Sequence, residues 1–144
     1  MFTSQQAFDW LGGLSGWCEV DSLCQSTFTA QDLLGDWRSW GKIIDKMSRD
    51  TNISRRRASL VLLTKSVRGS NDMRLGDLAL KNLERLKGEK DILISKAVSW
   101  LSQSLIKYHK EQVASFLATN NDVLPKFVIK EVFNKLTYGT KTRR

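Results

Sequence analysis

The sequence predicts an all-α fold built of antiparallel helix pairs. Three observations predict it. Apolar residues recur at helical i, i+3, i+4 spacing over most of the chain, and no segment alternates with period two between hairpin turns. The 144 residues contain a single proline, Pro125, which suits long helices because proline breaks them. Finally, turn and capping residues separate several of the apolar runs, as at residues 69–72 and at Gly88 and Asp91.

Each element follows from that spacing. Residues 17–28 read as a helix after the interruptions at Gly12, Gly13 and Gly16. Thr29 can cap the next, which carries Leu33, Leu34, Trp37, Trp40, Ile43, Ile44 and Met47. A helix over 52–68 turns Ile53, Ala58, Leu60, Val61, Leu63 and Val67 inward. Residues 69–72 break it, and Asn71 or Asp72 caps a helix bearing Leu75, Leu78, Ala79, Leu83 and Leu86 that stops at Gly88. Asp91 caps another, with Ile94, Ala97, Val98, Leu101 and Leu105 inward. A further helix over 111–119 buries Val113, Phe116 and Leu117. The last runs from about Pro125, a first-turn proline, through Phe127, Ile129, Val132, Phe133 and Leu136. Trp10, Trp37 and Trp40 are assigned to packing.

The run from Arg57 to Leu62 resembles that from Lys96 to Leu101, about 39 residues on. That period suits HEAT-like or armadillo-type helix pairs stacked into an α-α superhelix. The chain reads as one such domain over residues 1–144, ending in a basic tail over 138–144.

Composition narrows the function classes. Hydrophobic residues make up 41% and charged residues 26%, which fits a globular chain and excludes a disordered one. No apolar run is long enough to span a bilayer, and the first residues lack a signal-peptide pattern, so the expected compartment is the cytoplasm. Cys18 and Cys24 match no zinc spacing and read as reduced, partly buried thiols. The single histidine, His109, reads as a surface residue, and neither a metal nor a cofactor is expected.

Charge points to a partner. The net charge is +8. Residues 1–36 contain five acidic residues and no Lys or Arg, a sum of −5, so the rest of the chain carries +13. A basic body of this kind suits a polyanion, although charge also serves solubility. Arg55, Arg56 and Arg57 open a helix, where three cations oppose the helix dipole unless an anion lies nearby. Phosphate is one such anion, and Lys96 repeats the Arg57 position and extends the stripe. Contacts of this type position a protein on DNA without reading its sequence.

Trp17 and Asp21 lie one helical turn apart and share a face. A tryptophan ring attracts cations, and a fixed carboxylate stabilises developing positive charge. Read alone, Trp17 and Trp100 also suit a helical core, and Asp21 a solvated carboxylate.

Three segments resemble the DNA alkylation repair glycosylases built of HEAT-like repeats: residues 16–24 (GWCEVDSLC), 52–60 (NISRRRASL) and 94–101 (ISKAVSWL). They occur in the family's order and spacing, and the resemblance covers nearly the whole chain. It implies that Asp21 is the catalytic aspartate, that Trp17 and Trp100 face the lesion, and that Arg57 contacts the DNA backbone. It further implies that the target base stays stacked, whereas most base-acting enzymes flip it. Two departures stand out. Only 16 residues precede Trp17, where the family carries further helices, so a C-terminal part or a shortened member is expected, with self-association through an uncovered N-terminal face. Gln103, on the expected DNA-binding surface, stands where arginine is usual.

The expected activity is release of alkylated purines of the 3-methyladenine and 7-methylguanine type from double-stranded DNA. The alternatives are a non-catalytic HEAT-like module binding damaged or branched DNA, and a protein-interaction scaffold.

Overall fold

The computed structural model describes residues 3–13, 20, 21, 24 and 29–140. They form seven helices and, among the described residues, no strand. Helix α1 spans Ser4–Gly13, α2 Ala30–Gly35, α3 Trp37–Ser48 and α4 Ile53–Gly69. Helix α5 spans Met73–Leu86, α6 Ile92–Thr119 and α7 Lys126–Tyr138. The expected helix over 17–28 falls largely outside the described residues, though Val20, Asp21 and Cys24 are helical.

Side-chain caps set most starts. Thr29 and Asp32 form a reciprocal capping box, with Oγ1 of Thr29 accepting from the Asp32 amide at 3.2 Å. Asn52, Asp72 and Asp91 accept from Arg55, Arg74 and Leu93 amides at 3.0, 2.9 and 2.8 Å. Gly139, at φ 80°, ends α7 in the left-handed conformation that glycine adopts without strain, and its amide donates to Lys135 at 3.0 Å.

Helix α4 is the centre of the molecule and packs against α1, α2, α3, α5 and α6. Every residue from Arg57 to Thr64 is buried, so the single inward face expected of it widens to the whole circumference. Ser59 and Thr64 are polar residues within this buried stretch. Both turn their hydroxyls onto their own helix, donating to the carbonyls of Arg56 at 2.6 Å and Val61 at 2.8 Å. Ile53, at the outer end, is exposed instead of inward.

The short links at 70–72, 87–91 and 120–125 join helices that pack on one another, which folds α4–α5, α5–α6 and α6–α7 back antiparallel. This is the all-α superhelical stack that the periodicity predicts. The last helix packs on α6 through Val128 and Val132. Phe133, on the side of α7 away from α6, is exposed at 52%. Trp40 is buried and Trp37 packs on the core as expected, but Trp10 is 60% exposed, because α1 turns Ala7, Phe8 and Leu11 inward instead.

His109 also departs from the sequence reading. It is buried, not on the surface, and it marks a kink in α6 with φ −132° and ψ 40°. The two helices expected on either side of it are one helix bent at this residue. Its imidazole packs against Gly76 of α5, where a Cβ would lie 2.7 Å from the ring. Glycine therefore makes room for the ring at this crossing.

Candidate active site

The site forms where the start of α4, the first half of α6 and α7 meet the segment containing Asp21. Arg57, in the second turn of α4, is buried at 6% exposure. Its Nε donates to Oδ1 of Asp21 at 2.9 Å and its Nη2 to Oδ2 at 2.8 Å. This two-point pairing fixes the plane of the carboxylate as well as its position. The Nη1 group donates to the carbonyl of Leu93 in the first turn of α6. One guanidinium thus ties Asp21 to two helices.

Asp21 and Arg57 line a cleft of about 420 Å³. Helix α6 contributes Lys96, Trp100 and Gln103, which are spaced i, i+4 and i+7 and so share one helical stripe. Lys96 is exposed and Trp100 half-buried. Ser99, Phe127 and Glu131 complete the lining. The Ser99 hydroxyl donates to Oε1 of Glu131 at 2.8 Å and accepts from Nε2 of Gln103 at 3.0 Å. Behind Asp21, Cys24 is fully buried. Burial, helped by the negative charge of Asp21 and opposed by Arg57, pushes its thiol far above the ordinary range. It is an inert packing residue rather than a nucleophile.

The cleft therefore brings together Asp21, Arg57, Lys96, Trp100 and Gln103 from the residues singled out in the sequence. Trp17 lies outside the described residues. Arg55 and Arg56 do not line the cleft. Arg55 stacks 3.7 Å from the Phe8 ring centroid, donates to the Phe8 carbonyl at 2.9 Å and pairs with Asp50 at 3.3 Å, which locks α1 onto α4. Arg56 pairs with Glu89 at 3.1 Å and donates to the Thr51 carbonyl at 2.8 Å. The anions that the argument from the helix dipole called for are the protein's own: Asp50, Glu89 and Asp21 each take one arginine of the triplet.

Sequence reasoning missed Ser99 and Glu131 and read Phe127 only as an apolar residue of the last helix. Ser99 sits between Lys96 and Gln103 on the same helical surface, which is a usable signal. Glu131 has none, because it arrives from a helix some thirty residues further along.

A profile of the DNA alkylation repair enzyme family matches residues 3–136, nearly the whole chain, with Asp21, Arg57, Trp100 and Glu131 all inside the match. The chain belongs to the DNA alkylation repair enzyme family. No curated protein and no solved structure matches it. Membership points to a role in DNA alkylation repair, with DNA as the substrate. Among the described residues of this DNA alkylation repair family member, no helix is long and apolar enough to cross a membrane, and no three metal-ligating side chains gather.

Proposed function

We propose that the chain is a DNA N-glycosylase that releases positively charged alkylated purines, of the 3-methyladenine and 7-methylguanine type, from duplex DNA. The observation that carries this reading is the Asp21 carboxylate, held by two hydrogen bonds from Arg57 on the wall of a cleft it shares with Trp100.

Such a lesion supplies much of its own activation. The bond between C1′ and the base nitrogen breaks, and its electron pair passes to the base and neutralises its charge. The sugar is left with oxocarbenium character, which the fixed carboxylate of Asp21 stabilises electrostatically. Water then adds to C1′ and gives up a proton, to Asp21 or to solvent. Because Arg57 holds Asp21 in advance, the carboxylate needs no reorganisation as charge develops. Arg57 is thus a positioning residue in this scheme. Trp100, and Trp17 one helical turn before Asp21 in the sequence, offer ring faces to the cationic base. Lys96 meets a backbone phosphate.

One observation favours a second reading, a non-catalytic DNA-binding module. Among the described residues two cations line the cleft, of which Arg57 is committed to Asp21, and Gln103 brings no charge. The two readings separate on release of free methylated purine from methylated duplex DNA. A glycosylase releases base and loses that activity in Asp21→Asn while still binding DNA. A binding module binds in a salt-sensitive way and releases nothing.

A further inference from the structure

We propose that the groove between α3 and α5 is a second binding site for duplex DNA, holding the phosphates of a segment other than the one in the cleft. The inference needs only DNA as the family's substrate, and it stands whether or not the chain cuts a glycosidic bond.

The two helices carry matching charged stripes. On α3, Arg38, Lys42 and Asp45, with Arg49 capping the helix end, are spaced i, i+4, i+7 and i+11 and lie along one face. On α5, Leu78, Lys81 and Arg85 follow the spacing i, i+3, i+7. The helices pack on one another, and the stripes border a groove of about 340 Å³ whose apolar part is Trp37 and Leu78.

Asp45 shows what the groove does to its cations. It is the single carboxylate among the described residues that line the groove. It accepts from Arg85 and from Arg49, both at 3.0 Å, and lies 3.2 Å from Lys81. Lys81 and Arg85 are one turn apart, a spacing at which like charges repel, and Asp45 bridges them. Arg38 and Lys42 have the same spacing on α3. Both are exposed, and neither has an ion-pair partner among the described residues. A phosphate seated between them would relieve their repulsion as Asp45 relieves that of Lys81 and Arg85.

The length of the row selects a polymer over a small anion. Residues 38 to 49 extend about 16 Å along the helix, which matches roughly five phosphate steps of one DNA strand. Five cations face one carboxylate over that length, so the row keeps a net positive charge for a run of phosphates. The groove shares neither a residue nor a helix with the cleft, which α4, α6 and α7 line with Asp21. Bending one short duplex to fill both is costly, so the groove takes a second segment.

The test counts duplexes bound per chain. The full chain is titrated with an undamaged duplex of about 12 base pairs at about 50 mM salt, and the complexes are weighed by sedimentation. The chain should take up two duplexes, and the second should weaken at least about tenfold between about 50 and 200 mM salt, as release of two counterions requires. The double variant Arg38→Gln, Lys42→Gln should take up one, with an unchanged thermal midpoint. A control, Lys107→Gln with Lys110→Gln, removes the same charge from exposed positions of α6 outside both sites and should still take up two. One duplex on the unsubstituted chain, two on the Arg38 and Lys42 variant, or loss of the second duplex from the control would each overturn the inference. Base release is read separately, so its absence would count against the glycosylase reading and not against the groove.

Discussion

Removing Arg57 probes the architecture of the site more sharply than any other substitution. In Arg57→Met the aliphatic stem survives, but Asp21 loses both charge-assisted hydrogen bonds and the Leu93 carbonyl loses its donor. The side chains of Arg57 and Asp21 are 7% and 17% exposed, so the carboxylate is left unpaired in a largely desolvated place. Breaking a buried pair from one side costs about 3–5 kcal/mol, and residual solvent access to Asp21 argues for the lower end, about 3 kcal/mol. For a chain of this size that lowers the thermal midpoint by roughly 6–12 °C. Asp21→Asn leaves Arg57 as the unmatched charge and should cost about 2 kcal/mol. The double variant has no charge left to strand. It should therefore be only about 3 kcal/mol less stable than the parent, a coupling of about 2 kcal/mol between the two positions. Urea unfolding of the four proteins measures this cycle. Additivity within about 0.5 kcal/mol would refute the claim that Arg57 holds Asp21.

Two further outcomes follow from the surrounding fold. Gly76→Ala gains about 1 kcal/mol of helix propensity but drives a methyl into the His109 ring 2.7 Å away, at a cost of about 1–3 kcal/mol, so chemical denaturation should show net destabilisation. Gly69→Ala meets nothing within 4 Å and serves as the control; equal stabilisation by both would contradict the packing described at the kink. Asp45 accepts from Arg85 at 3.0 Å and lies 3.2 Å from Lys81 and 3.0 Å from Arg49. Burial alone would raise its pKa, but the hydrogen bonds from Arg85 and Lys81 and the nearby charges outweigh it and hold the carboxyl below its usual 3.8. A depressed folded-state pKa stabilises the fold above the unfolded value and is lost as pH falls through the folded one. The stability gap between the parent and Asp45→Asn should therefore be constant near neutrality and close as pH drops below about 3.8, which acid titration of urea midpoints would check.

The stacking order was legible because each helix carries its own start signal and apolar stripe. Asp91 caps where the sequence places it, Asp72 is one of the two caps it offers for α5, and the stripes on α5 and on the first half of α6 are buried as read. The alignment of Lys96, Trp100 and Gln103 was legible for the same reason. Departures arose where tertiary surroundings override local pattern. The stretch of helix α4 from Arg57 to Thr64 is buried on all sides, although it carries Ser59 and Thr64. Phe133 lies on the side of α7 away from α6 and is exposed. The arginine triplet read as a single phosphate-binding row, yet three separate carboxylates, at 21, 50 and 89, divide it. No local rule shows which of three adjacent arginines meets a carboxylate 36 positions away.

The most direct test of the account is the rate of free methylated purine release from methylated duplex DNA, measured at saturating protein for the parent chain and for Asp21→Asn. Removing a preorganised charge of this kind typically costs about a hundredfold or more in rate, so release should fall by at least that factor while duplex affinity stays within a few fold. Equal release by the two proteins would contradict the assignment of Asp21 as the group that stabilises the developing charge.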